Sequence, residues 1–188
     1  DRVSICADKL GVNNLSQTGA DEKKPILTNK VMTFDGIGQY MGKAFTWVQP
    51  EYIYMVVNQK TWTLNDYLFD GNGNSLGAVF QSATTPGLKG WAGGTSAQNN
   101  NLAVDTWAIL RVQFLSNTHK LQVNETAVTQ WNLGTNNMGG FVLGCKNLTS
   151  PQGYSNIYVK EIILRNVADY GTQTSTNIYN YLKTKYSL

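Results

Sequence analysis

Over most of this chain apolar and polar positions recur with a period of two. The clearest case is residues 107 to 115, where Ala108, Leu110, Val112 and Phe114 alternate with Trp107, Ile109, Arg111 and Gln113. Successive side chains of a strand point to opposite faces, so one set belongs to a core and the other is at least partly wet. Ser116-Asn117-Thr118-His119 then turns the chain into residues 120 to 124, whose Leu121 and Val123 keep the alternation, and a hairpin is expected. Residues 52 to 58 are nearly all apolar, which predicts a central strand covered on both faces.

Shorter segments fill the rest. Val31-Met32-Thr33-Phe34, the turn Asp35-Gly36 and Gln39-Tyr40-Met41 read as strand, turn, strand. Tyr67-Leu68-Phe69 stops at Asp70-Gly71-Asn72-Gly73-Asn74, a dense turn composition whose glycines are expected to supply positive φ. Residues 76 to 81, Gly90-Trp91-Ala92, residues 140 to 144 and residues 157 to 164 are further strands, with a polar loop at 96 to 101. The first thirty residues lack strand periodicity and read as an irregular lead-in, with a short strand near Val3 to Ile5. Near the C-terminus the period lengthens: Ile178, Tyr181, Leu182 and Tyr186 mark a short amphipathic helix. Many strands, no alternating βα units and one terminal helix predict an all-β, antiparallel two-sheet sandwich. At 188 residues it reads as a single domain, 1 to 188.

Composition narrows the function. A net charge of +3 with only 14% charged residues argues against disorder and against nucleic-acid binding, which needs a basic patch. The longest apolar run is too short to cross a bilayer, so membrane insertion is not expected. The chain opens with Asp1-Arg2, and an excised or processed segment of something longer is expected. Cys6 and Cys145 match no metal-ligand spacing; buried thiols are the default and one bridge is the alternative.

Several segments, in order, resemble the laminin-G-like, concanavalin A-like lectin/glucanase jelly rolls of phage virion and bacterial surface proteins. They are Phe34-Asp35-Gly36 with Gln39-Tyr40-Met41, then Val56-Val57, Tyr67-Leu68-Phe69-Asp70-Gly71 and the strand begun by Trp107. Leu121-Gln122-Val123-Asn124, Leu143-Gly144, residues 159 to 164 and the tail helix at 178 to 186 follow. One departure is that Thr174-Ser175-Thr176 stands where this family often carries an acidic residue in the turn of the tail helix. The resemblance implies a concanavalin A-like jelly roll with a short C-terminal helix, used to hold carbohydrate or to serve as an attachment module on a virion or at an extracellular, cell-surface location. It implies no reaction, because the fold is shared by lectins and hydrolases.

Little chemistry is legible. Retaining glycoside hydrolysis needs two carboxyl groups about 5 Å apart, as residues i and i+2 on a strand would supply. Here Glu51, Glu125 and Glu161 are isolated, so no enzyme is expected. The single histidine, His119, falls in a predicted turn and is expected to be exposed. The Asp70 to Asn74 turn fails as a hand-type calcium loop, since Ser75 and Gln81 stand where glycine and glutamate are required; no cofactor is expected, with a structural calcium held by loop oxygens left open. Sequons at Asn14, Asn124 and Asn147 are expected by chance in so Asn- and Thr-rich a chain.

What remains is binding. Sugars are held by aromatic rings that stack and amides or carboxylates that hydrogen-bond. Trp62 and Tyr67 bracket Asn65-Asp66, Trp91 is flanked by small residues, Asn99 and Asn100 follow, and Trp131 precedes Asn132. The candidate sugar-binding residues are therefore Trp62, Tyr67, Asp70, Trp91, Asn99, Asn100 and Trp131, while Trp47 and Trp107 are expected in the core. The partner would be a cell-surface glycan or polysaccharide, with other virion or surface proteins beside it. The alternative is a structural or decorating module that acts through protein contacts alone.

Overall fold

The structure, a computed structural model, describes residues 1 to 94, 97 to 132 and 134 to 188; Ser96, the start of the expected polar loop, lies outside them. The strands are β1 (Ile5–Cys6), β2 (Leu15–Ser16), β3 (Ile26–Thr28), β4 (Val31–Asp35), β5 (Met41–Ala44), β6 (Glu51–Gln59), β7 (Tyr67–Asp70) and β8 (Ala78–Gln81). They continue with β9 (Leu88–Trp91), β10 (Gln98–Asn99), β11 (Trp107–Phe114), β12 (His119–Val123), β13 (Thr129–Trp131), β14 (Gly140–Leu143) and β15 (Asn156–Arg165), before helix α1 (Gln173–Tyr186). One sheet runs β1-β2-β5-β14-β7-β8-β9-β10 and the other β13-β12-β11-β6-β15-β4-β3, with antiparallel pairing throughout.

The alternation in β11 becomes physical here. Ala108, Leu110, Val112 and Phe114 enter the core between the sheets with Ile53, Met55 and Val57 of β6. The opposite set is covered rather than wet: Ile109, Tyr52, Tyr54 and Val56 pack under Tyr179 and Leu182 of α1. That cover is why β6 is apolar on both faces and buried along its whole length. Trp47 is buried in the inter-sheet core, whereas Trp107 is half-buried beside the helix, with Lys160 Nζ 4.2 Å from its ring centroid. The helix starts without an acidic residue because Thr172 caps it, its hydroxyl accepting from Ser175 N at 3.1 Å.

Three expectations are corrected. The lead-in is not simply irregular: Arg2 bridges to Ile26 at the edge of one sheet, and β1 then pairs with β2 in the other. The strand, turn and strand around Asp35-Gly36 are present, with β4 and β5 in opposite sheets, so the turn carries the chain across. Part of the polar loop, Gln98–Asn99, forms an edge strand on β9. Finally, Gly71 and Gly73 do not take positive φ; Ser75 does, at 56°. They are glycines for closeness: a Cβ would sit 2.5 Å from Met138 O at Gly71 and 2.7 Å from Leu76 Cδ1 at Gly73.

Candidate functional site

The register of β7 to β10 builds one surface on the side of the sheet turned away from the core. Val79 and Leu88 point inward, so their neighbours Ala78, Phe80, Lys89 and Trp91 point outward. Phe80 lies opposite both Tyr67 and Lys89, Trp91 opposite Ala78, and Gln98 opposite Lys89. Phe80, Lys89, Trp91 and Gln98 are half-buried, as residues on a sheet face open to solvent are. The buried Tyr67 ring stacks on Phe80 at 4.9 Å, with Lys146 Nζ 5.4 Å from its centroid.

Of the residues singled out from sequence, the fold brings Tyr67 and Trp91 together on this face. Asn100 is exposed at its rim, accepting from Gln98 Nε2 at 2.6 Å. The others are placed elsewhere. Asp70 is fully buried and organises the β7–β8 turn, its carboxylate accepting from the backbone N–H groups of Gly71, Ser75, Leu76 and Asn147 at 2.8 to 3.3 Å. Those donors turn their hydrogens on both oxygens, so the carboxylate does not fit a calcium ion. Asn99 is buried, giving its amide to Thr129 Oγ1 and accepting from Asn101 N. Trp131 is a core residue and Trp62 is half-buried against the core, donating to Ser82 O at 2.9 Å. Phe80, Lys89 and Gln98 were missed from the sequence; only the pairing of three strands puts them beside Trp91.

Glu51 is fully buried, with Oε1 accepting from Met138 N at 2.7 Å and Oε2 without a partner among the described residues, and burial pushes its carboxyl up to about 8. Burial likewise lifts Asp66 and Asp70 to about 6, against the hydrogen bonds each accepts. Burial also raises Glu161, but hydrogen bonds from Lys185 and Tyr186 prevail and hold it below the usual range. His119 is buried, not exposed: Nδ1 accepts from Leu115 N at 3.1 Å and Nε2 faces Gly134 O. Burial lowers its pKa. Cys6 and Cys145 are free thiols, both raised by burial. Among the described residues no three of His, Cys, Asp and Glu gather as a metal site. Asn124 ends β12 with φ 51°, and its Oδ1 accepts from Ile109 N, a structural duty.

No protein-family model and no curated protein matches the chain. Solved structures do. A sialidase of Trypanosoma rangeli, solved with sialic acid, superimposes on 98% of this chain and 32% of its own, with a TM-score of 0.72 at 8% identity. The fold is a concanavalin A-like, laminin-G-like jelly roll. Domains LG4-5 of the mouse laminin α1 chain match 76% of this chain and 43% of theirs, with a TM-score of 0.54 at 9% identity. Domain 4 of a GH43 extracellular arabinanase from Geobacillus stearothermophilus, solved with arabinotriose, matches 80% and 74%, with a TM-score of 0.53 at 12% identity. The chain spans about a third of the length of the sialidase chains.

Proposed function

We propose that this jelly roll is a non-catalytic carbohydrate-binding module that works from a virion or extracellular surface and holds its glycan on the outer face of β7 to β10. The carrying observation is the placement of Phe80 and Trp91 as diagonal neighbours on that face, with Lys89 and Gln98 beside them. Diagonal positions lie about 7–8 Å apart, close enough for one saccharide to touch both rings. The apolar ring faces meet sugar C–H groups, while the lysine and the amide serve the hydroxyl rim. The arabinotriose held by the arabinanase domain supports the reading through a shared fold. Individually weak contacts of this kind become useful when many copies are displayed.

A glycan array that includes arabino-oligosaccharides and sialylated glycans, followed by calorimetry on any hit, tests this. Trp91→Ala and Phe80→Ala should each weaken binding tenfold or more; Trp91→Ala should change the melting temperature little because its ring is half-exposed, whereas Phe80→Ala should also lower it by uncovering the stacked Tyr67. Silence of a folded, multivalent sample across the array, or affinity untouched by both substitutions, would remove the proposal. Turnover of any glycan would refute its non-catalytic part.

A further inference from the structure

At the edge of the sandwich far from Trp91 the two sheets part around a cleft of about 970 Å³. One wall is β15, whose pairing is incomplete. It pairs with β6 from Ile157 to Arg165, but with β4 only from Asn156 to Val159. Beyond that point, among the described residues, the edge away from β6 has no neighbouring strand and no backbone partner from another element faces it. Alternate N–H and C=O groups of residues 160 to 165 therefore open onto the cleft. Ile162 and Leu164 are half-buried there against the inter-sheet core, above a floor that includes Leu15, Met32 and Phe45. Ile5 and Leu10 at the rim are exposed by 60% and 84%, more than isolated surface apolar residues need be beside such a groove.

The rim is basic. Lys9, Lys30, Lys160 and Lys185 line it against Asp8 and Glu161. Asp8 is engaged by the N–H groups of Leu10 and Asn13, and Glu161 by Lys185, Tyr181 and Tyr186. A second copy of the chain fits poorly: the loop after β1 overhangs the edge, with Lys9 Nζ 4.0 Å from Glu161 Oε1, and would hold two sandwich edges apart. A single extended segment needs room for only one strand, about 4.8 Å from β15, inside the cleft and beneath that loop. We propose that this cleft receives a peptide segment of a partner protein, extended, apolar at alternate positions and acidic at its ends. It adds to β15 as the strand that β4 leaves off, placing its apolar side chains beside Ile162 and Leu164 and its acids near Lys9 and Lys30. Six residues of open edge correspond to roughly 20 Å of strand.

Amide hydrogen exchange followed by NMR tests this in two steps. In the free protein, the cleft-facing amides among residues 160 to 165 should exchange at least a hundredfold faster than those bonded to β6; uniform protection, or protection that grows with protein concentration, would overturn the proposal. A capped heptapeptide of alternating valine and threonine flanked by aspartates should then protect the same amides and shift their resonances. Lys30→Glu should weaken that peptide at least threefold and favour a lysine-flanked counterpart. No protection at millimolar peptide, resonance changes confined to other surfaces, or indifference to the charge reversal would each sink it.

Discussion

Glu51→Gln isolates the cost of one carboxyl group in the core. The side chain is fully buried, Oε1 accepts from Met138 N, and Oε2 meets no donor among the described residues. The hydrogen bond from Met138 N is one that a glutamine carbonyl keeps, and the second atom is equally placed in a protonated glutamic acid and in glutamine. The variant therefore changes little except the ability to ionise. Burial raises the folded-state pKa from 4.5 to about 8, so the folded protein holds a proton that the unfolded chain releases. A raised carboxyl contributes its full stability below pH 4.5 and loses it as pH rises toward 8. Between pH 4.5 and pH 7 the parent should lose on the order of 3 kcal/mol from this group, and the glutamine variant should not. Urea unfolding of both proteins at the two pH values measures this as a difference of differences, in which shared titrations of Asp70 and His119 cancel. The midpoints should nearly coincide at pH 4.5, and the variant's should lie roughly 1–1.5 M higher at pH 7. Equal midpoint differences at both values, or a variant less stable at pH 7, would refute the reasoning.

Asp70→Ala should cost about 2–4 kcal/mol and lower the melting temperature by roughly 5–15 °C, because four backbone N–H groups lose their acceptor; calorimetry unchanged within a degree would show that the turn holds itself. Asp70→Asn should recover only part of this, since one of its atoms is a donor facing donors. His119 should be the neutral Nε2–H tautomer, as Nδ1 accepts from Leu115 N. Its lowered pKa contributes stability above pH 6.5 that is lost as pH falls, opposite in sign to Glu51. Imidazole nitrogen chemical shifts showing an Nδ1–H form at pH 7 would contradict the assignment.

The period-two alternation of β11, the apolar run of β6 and the lengthened period at the C-terminus determined by themselves that this chain stacks two sheets and adds one helix. These are local signals, because each strand must hide one face and its own sequence says which. Other local patterns misled where distant groups intervened. Asp70, Asn99 and Trp131 have the chemistry of a sugar site, yet buried N–H groups, Thr129 and the core claim them. His119 reads as a turn residue, yet it opens β12 and is buried, with its Nε2 facing Gly134 O fifteen residues on. The outer face of β7 to β10 depends on which residue of one strand lies opposite which residue of the next, and a slip of one position would turn Phe80 and Trp91 inward. The open half of β15 depends on where β4 ends relative to a partner more than a hundred residues away in sequence. Strand faces are written in neighbouring residues, whereas register, edges and the hydrogen-bond partners of buried polar groups arise only when remote segments meet.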